Sequence, residues 1–351
     1  MNEQGITNTG QPYKLINMLK EFWFRFPVWF FYLIGLAVMN MLLTNVEPYI
    51  FEKVGLNRYW FVLPALLTFG WPWVYYMFRI HRSRVIGTNK AKHYAITTAL
   101  LAAPYLFILL FNRPYYLKAE TIRLFFEYSQ FGWWVLVILH ALHRRSWSTF
   151  VTFFVVAQIY GIVLENGGII MGYFFEPHYR HYLWELPAPL CTVVGWAICF
   201  YCMASFTEYF RDLWPRLRGS LFLQALLATI LAVTWDLFFD PFASLKIADG
   251  TSLFWHWNPK LPPVFLAEPL LNWVAWFSAF LPFSYAYFYF SSREDLTPGR
   301  MNWQILIYIP VVCVAAAILN FGIMAILEGG FDGPTFQILG DFWAKIKPYP
   351  V

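Results

Sequence analysis

The chain has 351 residues, of which 59% are hydrophobic, 22% aromatic and only 13% charged. An ordinary soluble domain carries about 25% charged residues, so with a mean hydropathy of +0.49 the reading is an all-α, multi-pass integral membrane helical bundle. The net charge of +5 then reads as membrane topology rather than as a nucleic-acid footprint, and no nucleic-acid partner is expected.

Residues 1–26 form a polar tail followed by a stretch that mixes Lys14, Lys20, Glu21 and Arg25 with Leu15, Leu19, Phe22 and Trp23. That mixture predicts an interfacial amphipathic helix leading into the first span. Residues 27–327 read as one transmembrane domain, and 328–351 as a C-terminal tail. About nine apolar runs of spanning length follow one another, at 27–46, 59–80, 93–112, 124–142, 148–174, 187–208, 220–239, 268–291 and 303–327. No repeat period and no low-complexity linker divides them.

With the N-terminus inside, the inner segments hold most of the basic residues. These include Arg79, Arg82, Arg84, Arg144, Arg145, Arg211, Arg216, Arg218, Arg293 and Arg300. The bias predicts a cytoplasmic N-terminus in the cell membrane. That topology carries Glu165, Asp236 and Asp240 to one membrane face, with Glu127, Glu268 and Asn272 near the starts of spans on the same side. Acids packed together in low dielectric cannot all ionise, so at least one should hold its proton near neutral pH.

Asp236 and Asp240 stand at i and i+4 near the end of an apolar run. This predicts one helix face with the two acids about 6 Å apart along the axis, stopped by Pro241. A carboxylate at membrane depth is costly and normally faces protein or a water-filled cavity. Paired carboxylates suit acid–base chemistry, and a hard cation such as Mg²⁺ would also take their oxygens. A helix-end acid salt-bridged to a loop stays open. Glu165 sits in a glycine-rich segment, Gly161 to Tyr173, where a helix or ligand can approach the backbone closely. Either a packing seam or a substrate cavity fits that pattern.

Trp255, Trp257, Trp273 and Trp276 would border the acids, and ring faces there could steady a carbocation. An interfacial aromatic belt is the other reading. The seven histidines fall near helix ends or in loops and read as interfacial, and no metal site is assigned. Cys199 and Cys202 make a CxxC without a second pair, so they read as buried thiols.

Several blocks resemble the membrane hydratases of carotenoid biosynthesis, the γ-carotene and bisanhydrobacterioruberin hydratase type. They are Glu165-x-x-Gly168-x-x-x-Gly172-Tyr173, then Tyr179 and Tyr182, then Pro187 through Trp196. The second half follows with Asp236-Leu237-x-x-Asp240-Pro241, Trp255-x-Trp257 and Pro269-x-x-Asn272-x-x-x-Trp276. The resemblance covers about residues 150–280. The chain departs from the family pattern at Pro177, Ala267, Glu268 and Ala275.

The resemblance implies addition of water across a terminal C=C of an acyclic carotenoid, giving a tertiary alcohol, without a cofactor. Glu165, Asp236 and Asp240 would be catalytic. Tyr173, Tyr179, Trp196, Trp255, Trp257, Asn272 and Trp276 would bind substrate. The expected partners are a carotenoid or other isoprenoid and the lipid bilayer. Two rivals remain: a Mg²⁺-dependent membrane prenyltransferase, from Asp236-x-x-x-Asp240, and a proton-coupled transporter or carotenoid-binding protein using Glu165 and Asp236 as a relay.

Overall fold

A computed structural model describes residues 118–211, 214–237, 239–247 and 250–346, with a few single helical positions before them. The runs predicted at 27–46, 59–80 and 93–112, and the amphipathic segment before them, lie outside the described residues. The description therefore begins at the fourth predicted span.

Helix α1 (Ala119–Arg144) opens with Glu120 in its first turn and closes with His143 and Arg144 in its last. Both ends complement the helix dipole. A short α2 (Trp147–Val151), capped by Ser146, runs through a π-helical turn, Thr152–Val156, into α3 (Ala157–Met171). At that turn Thr152 Oγ1 bonds both the Ser148 carbonyl and Asn302. A hydroxyl that competes for a backbone carbonyl in this way loosens the local ladder. Helix α3 ends at Gly172, whose φ of 85° no β-carbon favours. A two-residue strand β1 (Phe174–Phe175) follows.

Helix α4 (Leu190–Arg211) is the most buried of the long helices. After a four-residue turn of helix, α5 (Pro215–Arg218), comes α6 (Leu221–Leu237). Asp236 and Asp240 point to the same side, since both reach the Asn272 side-chain nitrogen. Helix α6 stops at Leu237, and Asp240 opens a separate turn, α7 (Asp240–Ala243). Pro241 has no N–H to return to the preceding turn, so α6 cannot run on through it. The chain then forms β2 (His256–Trp257), β3 (Pro263–Phe265) and β4 (Glu268–Pro269). Helices α8 (Leu270–Ser291) and α9 (Pro298–Leu327) follow.

Among the described residues, four helical stretches are long and apolar enough to cross a membrane: Trp147–Met171, Leu190–Arg211, Leu221–Ala243 and Pro298–Leu327. Helices α1 and α8 occupy two more of the predicted runs. The predicted C-terminal tail carries a further helix, α10 (Pro334–Ile346). Glu328, at the end of α9, accepts the Thr335 backbone N–H and hydroxyl and so seats it.

Helix α4 lies between α1, α3 and α6, while α8 packs along both α6 and α9. Stacked rings hold the centre together: Phe200 on Phe280 at 4.1 Å, and Tyr160 on Phe283 at 5.4 Å. Lipid offers no hydrophobic drive between helices, so this packing and a few buried polar bonds hold the bundle. At one end, Arg145 pairs with Glu208 at 2.5 Å, and Tyr287 donates to the same carboxylate at 2.6 Å. At the other end, strand β1 pairs antiparallel with β2, placing Phe174 opposite Trp257 and Phe175 opposite His256. That clasp folds the loop after α3 over the ends of α6 and α8.

Candidate active site

A cavity of about 380 Å³ opens beneath the β1–β2 clasp. Its walls come from α1, α3, α4, α6, α8 and α9 and the loops between them. Four acids line it: Glu165, Glu176, Asp236 and Asp240. Trp196, Trp235, Phe239, Trp255, Trp257 and Trp276 supply ring surface. Among the described residues no Lys, Arg or His joins the lining.

Asn272, two residues into α8, organises the deeper acids. Its side-chain nitrogen lies 2.7 Å from Asp236 Oδ2, 2.5 Å from Asp240 Oδ2 and 2.5 Å from Glu268 Oε1. An amide NH₂ has two hydrogens, so it cannot satisfy three carboxyl oxygens. Asp240 is better supplied, because the Trp255 indole N–H donates to its other oxygen. Glu268 also lies against the Asp236 carboxyl, with the Trp273 indole beside it. Glu268 itself is fully buried and stands behind the cavity wall rather than in it.

Glu165, on α3, accepts the Trp196 indole N–H at 2.5 Å. The geometry depends on Gly161, one turn earlier. A β-carbon there would stand 2.6 Å from the Trp196 Cβ, so only glycine lets α4 bring the indole this close. Gly161→Val is therefore expected to lower stability by about 1–3 kcal/mol through overpacking. Thermal melting of the purified protein measures it, and a wild-type melting temperature would refute the close-packing account.

The second partner of Glu165 is Glu176, which the sequence reading did not single out. The two carboxyls are hydrogen-bonded to each other. Glu176 also accepts from the Thr192 hydroxyl at 3.2 Å. Burial, and then the neighbouring Glu165, hold the Glu176 carboxyl well above the usual carboxylate range. A hydrogen bond between two carboxyls needs a proton on one of them, and Glu176 is the group placed to carry it. In sequence Glu176 follows two phenylalanines in a loop, where an acid is unremarkable. The αL turn at Gly172 and the β1–β2 clasp fold it back onto α3.

Of the residues expected to bind substrate, Tyr173, Trp196, Trp255, Trp257, Asn272 and Trp276 all line the cavity, as does Ala275. Tyr179 does not; it packs behind the wall, 6.2 Å from the Phe126 ring centre. Glu127 is also drawn away from the acid group. It accepts the backbone N–H groups of Arg180 and His181 and pairs with the His181 ring at 2.9 Å. Cys191, Cys199 and Cys202 are buried free thiols.

Asp236, Asp240 and Glu268 each offer an oxygen within 4.8 Å of the others, the donor type a hard divalent cation takes. The Asn272 NH₂ group, a donor, fills the middle of that set. As it stands, the arrangement is built for hydrogen-bonded carboxyls.

Among family models, the one described as carotenoid biosynthesis protein matches residues 127–331. The match runs from Glu127, within α1, past the end of α9, and takes in Glu165, Glu176, Asp236, Asp240 and Glu268. No curated protein and no solved structure matches the chain.

Proposed function

The chain belongs to the carotenoid biosynthesis protein family, and on that footing we propose that it is a carotenoid hydratase. It would add water across the terminal C=C of an acyclic end group to give a tertiary alcohol, as a multi-pass enzyme of the cell membrane with a cytoplasmic N-terminus. The observation that supports this most directly is the cavity itself. Carboxyls from separate helices face ring surfaces in a pocket whose described lining holds no basic side chain. Such a site can give up a proton and take one back without generating free ions in lipid.

Asp236, which lies against Glu268, donates a proton to the less substituted carbon of the terminal double bond. The π electrons form the new C–H bond and leave a tertiary cation. Trp196, Trp235 and Trp276 face that position; Trp196 stacks on Trp276 at 4.9 Å, and Trp235 lies 5.8 Å from it. Ring faces steady positive charge through their quadrupole. The Asp240 carboxyl oxygens, held by Asn272 and Trp255, present their negative dipole ends where positive charge develops. Water then bonds to the cationic carbon, and Glu165 takes the proton that water releases. Glu165 can do so because its hydrogen bond to Glu176 leaves that proton on Glu176. Water adds as H and OH with no net oxidation or reduction, so no redox partner is needed, and the proton gained by Glu165 passes back to Asp236 before the next turnover.

The prenyltransferase alternative needs basic groups to meet a diphosphate, and the described lining offers none. The test is to give membranes carrying the protein an acyclic carotenoid such as lycopene and weigh the pigments. A product heavier by one water supports the reading. Intact, folded protein that leaves lycopene unchanged under all conditions sinks it.

A further inference from the structure

The cavity is small for the ligand just proposed. Its 380 Å³ sits at the low end of the roughly 300–1,000 Å³ that encloses a drug-sized molecule. A long acyclic polyene has an extent closer to that of a bilayer's hydrocarbon core, about 30 Å. Only its end can fit inside, so the remaining chain must leave through a wall.

Among the described residues, one wall of the cavity is left uncovered. On α3, Val163 and Gly167 are one turn apart and both line the cavity; on α9, Cys313, Ala317 and Asn320 do the same on one face. Val163 is 49% exposed and Ala317 is also exposed. Among the described residues, both rims of this seam therefore line the cavity and are exposed on its outer side. A β-carbon at Gly167 would meet only the far end of Met171, at 3.9 Å, so the space beside it is free.

The cavity lining also carries polar atoms without hydrogen-bond partners among the described residues. The Ser278 hydroxyl, in a residue 1% exposed, and the Asn320 side-chain carbonyl are both buried, and neither has a hydrogen-bond partner among the described residues. Buried polar groups without partners are costly, more so at membrane depth. A pure hydrocarbon would leave both unsatisfied. A hydroxyl can accept from Ser278 and donate to Asn320.

We propose that the α3–α9 seam is the passage between cavity and bilayer for an isoprenoid chain, and that Ser278 and Asn320 hold a hydroxyl carried by that chain. The inference rests on the hydratase reading for its choice of ligand, and under that reading the bound hydroxyl is the one just formed.

The test uses the full chain in lipid nanodiscs, loaded separately with lycopene and with its mono-hydroxylated tertiary alcohol. After washing, the retained pigment is quantified and identified by mass. Wild type is expected to retain both, with the alcohol held roughly tenfold more tightly. Ala317→Trp and Gly167→Phe, which plug the seam from opposite helices, should each lower retention of both pigments roughly tenfold. Ile318→Trp, on the neighbouring lipid-facing position, should retain both as wild type does. Ser278→Ala combined with Asn320→Leu should erase the preference for the alcohol while keeping lycopene.

Wild-type retention by both plugged variants overturns the passage, as does a wild type that retains neither pigment. A preference that survives the double substitution overturns the hydroxyl subsite. Water addition is read in the same samples. Retention of lycopene with no added water would overturn the hydratase reading and leave the passage standing.

Discussion

Asp236→Asn and Glu165→Gln are each expected to lower water addition by about 10²–10⁴-fold, the range a positioned acid or base contributes. Both changes preserve shape. An asparagine at 236 can still accept from Asn272 and can donate an amide N–H toward Glu268, replacing the carboxyl–carboxyl contact. A glutamine at 165 can still accept the Trp196 N–H and can donate toward Glu176. Neither amide can release or take up a proton at neutral pH. Each variant should therefore remain folded in the membrane, with a melting temperature close to wild type, while lycopene turnover collapses. Turnover within a few-fold of wild type in either variant would remove that residue from the chemistry.

Glu176→Gln is expected to keep activity within a few-fold at neutral pH, because its amide replaces the neutral donor to Glu165, and to change the pH profile. Glutamine can keep the Thr192 hydrogen bond and can donate to Glu165, so the loop should hold its place. What is lost is the proton that Glu165 and Glu176 share. The sign follows from the direction of the shift. Glu176 is held above the usual carboxylate range by burial and by Glu165, so its neutral form predominates at low and moderate pH. As pH rises through that raised value the proton leaves, two adjacent carboxylates repel, and Glu165 can no longer be supported as a base.

Wild-type activity should accordingly fall on the alkaline side, and the fall should be less steep in Glu176→Gln, where only the Asp236 donor still has to stay protonated. Stability follows the same direction. A folded-state pKa raised above the unfolded one gives stability that is full below the ordinary carboxylate value, about 4.3, and is lost as pH rises through the raised value. Melting temperatures against pH should therefore decline less in the variant than in wild type. An alkaline limb that persists unchanged in Glu176→Gln would assign the titration to another group.

Parts of this site are legible in one dimension because of where they sit. An acid inside an apolar run has no cheap solution in lipid, so Glu165, Asp236 and Asp240 stand out without any structure. Asn272 and the tryptophans follow from their order around those acids. Glu268 is visible as a departure from the family pattern, but its place behind Asp236 and Asp240 depends on β4 running directly into α8. Glu176 carries no comparable signal, since a loop acid ordinarily meets water. It reaches Glu165 only because Gly172 turns the chain in a conformation that favours glycine and β2 pins the returning strand. Tyr179 and Glu127 show the converse. Their sequence positions suggest the cavity, while the 176–182 loop draws both into the layer behind it.

By itself the sequence determined the solvent, the class of fold and the family. These follow from apolar runs of spanning length and from blocks whose order survives any packing. The tertiary structure alone decided which carboxyls meet, that Asn272 gathers three of them, and that one cavity is lined from both α3 and α9. Those outcomes depend on how closely helices approach, which Gly161 controls through a single missing β-carbon. They also depend on how hydrogen-bond donors are shared among more acids than they can satisfy, as around Asn272. Neither closeness nor sharing has a period or a motif in the chain, because each is a property of side chains from separate helices brought to the same depth.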